Sequence, residues 1–189
     1  KKNSLYAIFL SGLLLFSFGC KNKTVSEELA VPEYNPLITA FTSGIVSCES
    51  PVIVRFSENF SDSVTPGAVV SKGVLSIEPE TPGLVTYLDQ RSFEFKPETR
   101  FKPGTAFQVK VKAGKLFDNP AAEKPFVFSF HTVVQHITLN IEAFRPYNDY
   151  KPEMNYVTGK LVTADVADAD AVQLALTAKQ DNRECHRHQ

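Results

Sequence analysis

The sequence predicts an all-β protein, an antiparallel sandwich followed by an incomplete second β domain with a short helix. Three observations predict it. Apolar and polar residues alternate with period two over several short runs, as in Val52, Val54 and Phe56 against Ile53 and Arg55. Turn-forming clusters separate those runs at Thr81-Pro82-Gly83, Lys102-Pro103-Gly104-Thr105 and Asp118-Asn119-Pro120. Aromatic residues are spread between the turns, with 15 Phe, 12 Pro, 9 Gly and no Trp among 189 residues.

Taken in order, residues 1–19 form a targeting segment. Lys1-Lys2 give a positive start, and Leu5 to Phe18 form an apolar run interrupted at Ser11-Gly12. The run is shorter than the roughly 20 apolar residues a membrane span needs, so it reads as a secretory signal. Gly19-Cys20 at its end resembles a bacterial lipoprotein cleavage site. Ser17 and Phe18 occupy positions where the usual pattern has Leu and a small residue, a looser version of the kind found in Bacteroidetes lipoproteins. The resemblance implies that Cys20 becomes the new amino terminus and carries lipid; the alternative is an ordinary signal with an incidental Cys20. Each buried methylene contributes about 0.8 kcal/mol, and two or more acyl chains anchor stably where one does not. The membrane is therefore an expected partner, through the lipid on Cys20. After it, KNKTVSEELAVPEYN completes a polar tether over residues 20–35. Some related bacteria mark surface export with acidic residues directly after the cysteine. Here Lys21-Asn22-Lys23 stand there and Glu27-Glu28 come late, so the expected location is the cell envelope, facing the periplasm. The first residue is not Met, and a clipped front is expected.

Residues 36–133 carry the strands. Short ones are expected at Pro36–Thr42, Val74–Glu78 and Leu84–Leu88. Phe93 and Phe95 alternate with Ser92, Glu94 and Lys96, which should face outwards. Phe107, Val109 and Val111 alternate with Gln108, Lys110 and Lys112, and Phe126, Phe128 and Phe130 with Val127, Ser129 and His131. Lys102-Pro103-Gly104-Thr105 suits a type II turn, with Thr81-Pro82-Gly83 doing the same before Leu84. Asp89-Gln90-Arg91 reads as a hairpin turn with a solvated tip. About seven short strands at this spacing read as an Ig-like antiparallel β-sandwich. Each buried Phe contributes roughly 1.5–3 kcal/mol, against roughly 1–2 kcal/mol for ordering each backbone residue. A lone hairpin cannot win that comparison, whereas two facing sheets can.

Residues 134–189 look incomplete. Strands are expected at Thr138–Phe144 and Tyr156–Val162, and a helix over Asp165–Lys179. Val172, Ala175, Leu176 and Lys179 follow i, i+3, i+4 and i+7. Asp165, Asp168 and Asp170 crowd the helix start and Lys179 its end, as the helix dipole prefers. DNRECHRHQ then breaks the pattern and is expected to be a disordered tail, from a truncated or frame-shifted gene end. Two strands and one helix would struggle to close a core.

The stretches VIVRFSENF, LSIEPETPG, TYLDQRSFEFKPETRFKPGTAFQVKV and FVFSFHT follow in order. Together they resemble the bacterial Ig-like module that opens bacterial alpha-2-macroglobulins, notably those of Bacteroidetes. ITLNIEAFRPYNDY and YVTGKLVTADVADADAV resemble the start of that family's next macroglobulin-like domain. The resemblance covers about residues 36–180. It implies an endopeptidase-inhibitor parent, whose remaining domains are expected partners and which alone would engage proteases.

Chemistry is sparse. Cys48-Glu49-Ser50-Pro51 lacks the Gln of a Cys-x-Glu-Gln thioester, and the residues show no bait segment. Cys48 reads as a small buried hydrophobe, the alternative being a Cys48–Cys185 disulfide. Glu184-Cys185-His186-Arg187-His188 offers metal-ligand types but has no second cluster, so no metal is expected. His131 and His136 read as strand-end residues. No Ser/His/Asp set, carboxylate pair or phosphate loop stands out, so neither catalysis nor a cofactor is expected. The formal net charge of −1, without a basic block, argues against nucleic acid. Two functions stay open. One is the anchored scaffold segment of a macroglobulin-like inhibitor. The other is a stand-alone Ig-like envelope lipoprotein that binds a glycan or a protein.

Overall fold

The computed structural model describes residues 31–60, 64–146, 150, 155–180 and 183–184. The signal segment, Cys20, most of the tether, and Cys185, His186 and His188 lie outside the described residues. The described chain is all-β, with two short α-helices and one 3-10 turn.

Two four-stranded sheets form the sandwich. The first strand divides between them. β1 (Ile38–Phe41) pairs antiparallel with β3 (Val52–Phe56), while β2 (Gly44–Val46) crosses over and runs parallel to β8 (Phe126–Thr132). Gly44 makes the crossing at φ 76°, a left-handed conformation that costs a glycine little. β4 (Leu75–Glu78), β5 (Gly83–Asp89), β6 (Ser92–Pro97) and β7 (Ala106–Val111) complete the sheets. Their orders are β1-β3-β6-β5 and β2-β8-β7-β4. β2 was not expected, because three residues are too few to show an alternation.

The alternation places the core as expected. Phe93, Phe95, Phe126, Phe128 and Phe130 are all buried, with Val52, Val54, Phe56, Phe107, Val109 and Val111. The rings pack in groups. Phe56 meets Phe60, Phe93 and Phe117 at centroid distances of 5.5, 5.5 and 5.0 Å. Phe101 meets Phe107 and Phe130 at 4.9 and 5.4 Å. Phe56–Phe60 and Phe101–Phe130 meet edge-on, a geometry that aromatic quadrupoles favour, and the other three pairs are tilted.

Four expectations need correction. Ser92 and Glu94 are buried, not outward and exposed; Glu94 is only 8% accessible. β6 lies between β3 and β5, so Ile53 and Thr86 flank Glu94, and Lys96 Nζ lies 2.8 Å from its carboxylate. Gly104 has the expected left-handed φ of 59°, but Gly83 is not a left-handed turn residue. It opens β5, where a Cβ would run into the Phe95 ring and the Lys96 carbonyl. The helix over Asp165–Lys179 shrinks to α2 (Ala169–Ala175), numbered after the one-turn α1 (Pro120–Glu123). Asp168 starts α2 by accepting from the Ala171 amide; of the expected apolar stripe, Val172 and Leu176 are half-buried and Ala175 is exposed. Lys179 instead falls in β11 (Lys179–Gln180), which pairs with β12 (Arg183–Glu184), so part of the expected tail is ordered. α1 was also unexpected. Asn119 caps it through the Ala121 amide at 2.9 Å, and Pro120 fits its first turn.

Beyond the sandwich, β9 (Ile137–Pro146) and β10 (Asn155–Thr163) form an antiparallel pair, matching the two expected strands. Glu142 is an extra residue in β9, since Gly159 pairs with Ile141 and Thr158 with Ala143. This bulge keeps Phe144 on the face of Ile137, Leu139 and Ile141, alongside Val157 and Leu161 of β10.

Candidate functional site

Two places on the molecule gather polar groups in a defined geometry. The first is a cleft of about 590 Å³ between β4 and β5, the outer strands of the two sheets. Buried Ile77 and Phe95 and half-buried Val85 line it, with exposed Lys72, Glu78 and Glu80 at its sides. A segment before β4 partly covers the β5 edge: Val70 N donates to Val85 O at 2.9 Å, and Tyr87 N to Ala68 O at 3.0 Å. The lining contains no His or Cys; its hydroxyls are those of Ser71, Ser76 and Thr81 and its amine that of Lys72, with apolar Ile77, Val85 and Phe95 beneath them.

The second place is the junction between the sandwich and β9. The Asp165 carboxylate accepts from Ser47 Oγ at 2.7 Å, the Cys48 amide at 2.7 Å and the Val166 amide at 2.8 Å. These bonds, led by the Cys48 amide, lower its pKa to about 2. Cys48 is 3% exposed with a free thiol, and burial, then the Asp165 carboxylate, pushes that thiol up. A raised pKa in a buried site makes a poor nucleophile. Sequence reasoning placed Asp165 at a helix start and missed this role. The available signal was Asp168, whose spacing to Ala171 already supplies a cap without Asp165.

The other residues considered from sequence fall apart from one another. His131 is half-buried on β8, and His136 is exposed just before β9. Asp89 makes the hairpin tip more structured than expected. Its carboxylate accepts from the Arg91 amide at 2.7 Å, Ser92 Oγ at 3.1 Å and Arg55 at 3.2 Å, and these hold its pKa below the usual range. Among the described residues, no group of three or more His, Cys, Asp or Glu is placed to hold a metal ion.

The split first strand, the two facing sheets and the aromatic core agree with a match of residues 35–132 to the bacterial Ig-like domain family. The chain belongs to that family. The chain is similar to L,D-transpeptidase 2 of Mycobacterium tuberculosis (strain CDC 1551 / Oshkosh), 32% identical over 76 residues. That stretch is 40% of this chain and 18% of the transpeptidase, so the chain spans under a fifth of that relative. The similarity concerns the Ig-like region and shows no enzymatic role here. Solved structures of similar proteins include an L,D-transpeptidase from Mycobacterium tuberculosis H37Rv, at 17% identity and TM-score 0.36, covering 58% of this chain and 44% of that one. Another is an L,D-transpeptidase from Mycobacterium smegmatis, at 15% identity and TM-score 0.35, covering 55% and 40%.

Proposed function

We propose that the chain is the membrane-anchored, amino-terminal scaffold segment of an alpha-2-macroglobulin-like endopeptidase inhibitor of the Bacteroidetes type. It performs no catalysis itself. One observation carries this reading: β9 and β10 present an apolar face that stands uncovered among the described residues. A contiguous apolar face of this kind marks an interaction surface. Further β structure of the same protein would cover it, as the second sheet of the next module.

In this reading Cys20 carries the lipid and the tether spaces the Ig-like domain from the membrane, facing the periplasm. The hairpin opens the next macroglobulin-like module, and proteases engage only the full-length protein. Metabolic labelling with a fatty-acid probe should mark the wild type and not Cys20→Ala; equal labelling would remove the anchor from the proposal. Purified residues 21–189 should leave protease activity unchanged on large and small substrates. Stoichiometric inhibition by that fragment would contradict the scaffold role. Reading the coding DNA past Gln189 should reveal the rest of the inhibitor.

The second reading is a stand-alone Ig-like envelope lipoprotein that binds a glycan or a protein. The cleft between β4 and β5 favours it. Saturable glycan or peptide binding, lost on Phe95→Ala in a folded variant, would support this reading over the first.

A further inference from the structure

The chain passes from sandwich to hairpin through Val134, Gln135 and His136, and both ends of that crossing are tied. On the sandwich side the Val133 amide donates to Val46 O at 2.9 Å, and the Val133 carbonyl accepts from Gly104 N at 3.0 Å. On the hairpin side the His136 carbonyl accepts from Ala164 N at 3.0 Å. A single covalent crossing still leaves rotatable backbone angles, and motion between modules is the default when nothing else joins them.

A second attachment exists. Asp165, two residues beyond β10, reaches Ser47 Oγ and the Cys48 amide in the loop after β2. Gln135 clamps the same residue from the crossing itself. Its side-chain amide accepts from Asp165 N at 3.1 Å and donates to Asp165 O at 3.1 Å and Val166 O at 3.3 Å. The carboxylate therefore ties the hairpin to the sandwich at Cys48, 117 residues before Asp165 in sequence. Two separate attachment points remove the pivot that one would allow. The bonds from Ser47 and Cys48 are charge-assisted, which makes them stronger than neutral ones.

We infer that Asp165 is a latch that fixes the hairpin in one orientation on the sandwich, so that the junction is a rigid elbow. The inference does not rest on the inhibitor reading, since any module carried by the hairpin would be presented at the same angle. The test uses the full chain, with hydrogen exchange followed at peptides around Cys48 and Gln135. Thiol labelling of Cys48 is read by peptide mass so that Cys20 and Cys185 are scored separately. Asp165→Ala should raise the exchange and labelling rates by about tenfold or more, as losing charge-assisted bonds favours local opening. Exchange in β6 and β7 should stay as in the wild type. Small-angle scattering should show a broader distribution of hairpin positions. If Asp165→Ala does not fold, Ser47→Ala removes one donor and should raise the same rates by a smaller factor. Unchanged rates in the variant that folds would overturn the latch, as would unchanged scattering from Asp165→Ala.

Discussion

The sandwich and the β9–β10 hairpin are written in the same alternating pattern, yet they treat their apolar residues in opposite ways. Phe56, Phe93, Phe101, Phe128 and Phe130 are fully buried between two sheets. Phe144 is 69% exposed, on a face that also presents Ile137, Ile141 and Val157. Alternation decides which side chains share a face, and only a second layer decides whether that face leaves water. The sandwich has both requirements within residues 35–132. Among the described residues the hairpin has the first alone.

The sharpest way to break this contrast is to truncate one ring in each region. Phe128→Ala should cost roughly 3–5 kcal/mol in denaturant unfolding, whereas Phe144→Ala should stay within about 0.5 kcal/mol. Similar losses at both sites would mean that the hairpin face is covered in solution. Gly83→Ala should come next, at roughly 1–3 kcal/mol, because its methyl would enter the space of the Phe95 ring and the Lys96 carbonyl. A neutral result there would show that the edge of β5 yields easily.

Acid should act on the seam between the two regions. The Asp165 carboxyl is held at about 2 against an ordinary 3.8, so the folded state binds fewer protons than the unfolded one between those values. Its contribution is complete above pH 3.8 and is lost as pH falls towards about 2. Asp165→Asn should flatten that part of the stability profile. Some slope should remain from Asp89, whose carboxyl is also held low. An unchanged acid profile would separate the seam from stability. Only a small effect is expected at Glu94. Its partner Lys96 is largely exposed, so Glu94→Ala should remove under about 1 kcal/mol despite the buried carboxylate. A larger loss would mark Glu94 as part of the core contrast after all.

Much of the sandwich was legible because period-two runs such as Phe126–Phe130 declare both strand and face. The buried Glu94 was not legible, because burial on an outer face depends on neighbouring strands that the local pattern does not name. β2 was too short to show a period. Gly83 looked like a turn residue, since Pro-Gly signals a turn whether glycine is needed for its φ or for its lack of a Cβ. Asp165 was misread for a related reason. Acidic residues before a helix suit its dipole, and nothing local says that one of them reaches a loop far away in sequence.

The divided first strand bears on how the protein would answer a pull. If the amino terminus is held and the far end of β8 is drawn away, β1 and β2 are stressed differently. β1 runs antiparallel to β3, with Ile38 opposite Phe56, so a pull on its free end unzips the pairs one after another. β2 runs parallel to β8 through Gly44–Phe130, Ile45–His131 and Val46–Thr132. Opposed forces on parallel neighbours slide them past each other, and all their bonds, with Val133 N to Val46 O beside them, must fail together. A tethered chain of this build would yield a little at β1 and then hold at β2, which makes the crossing at Gly44 a mechanical stop.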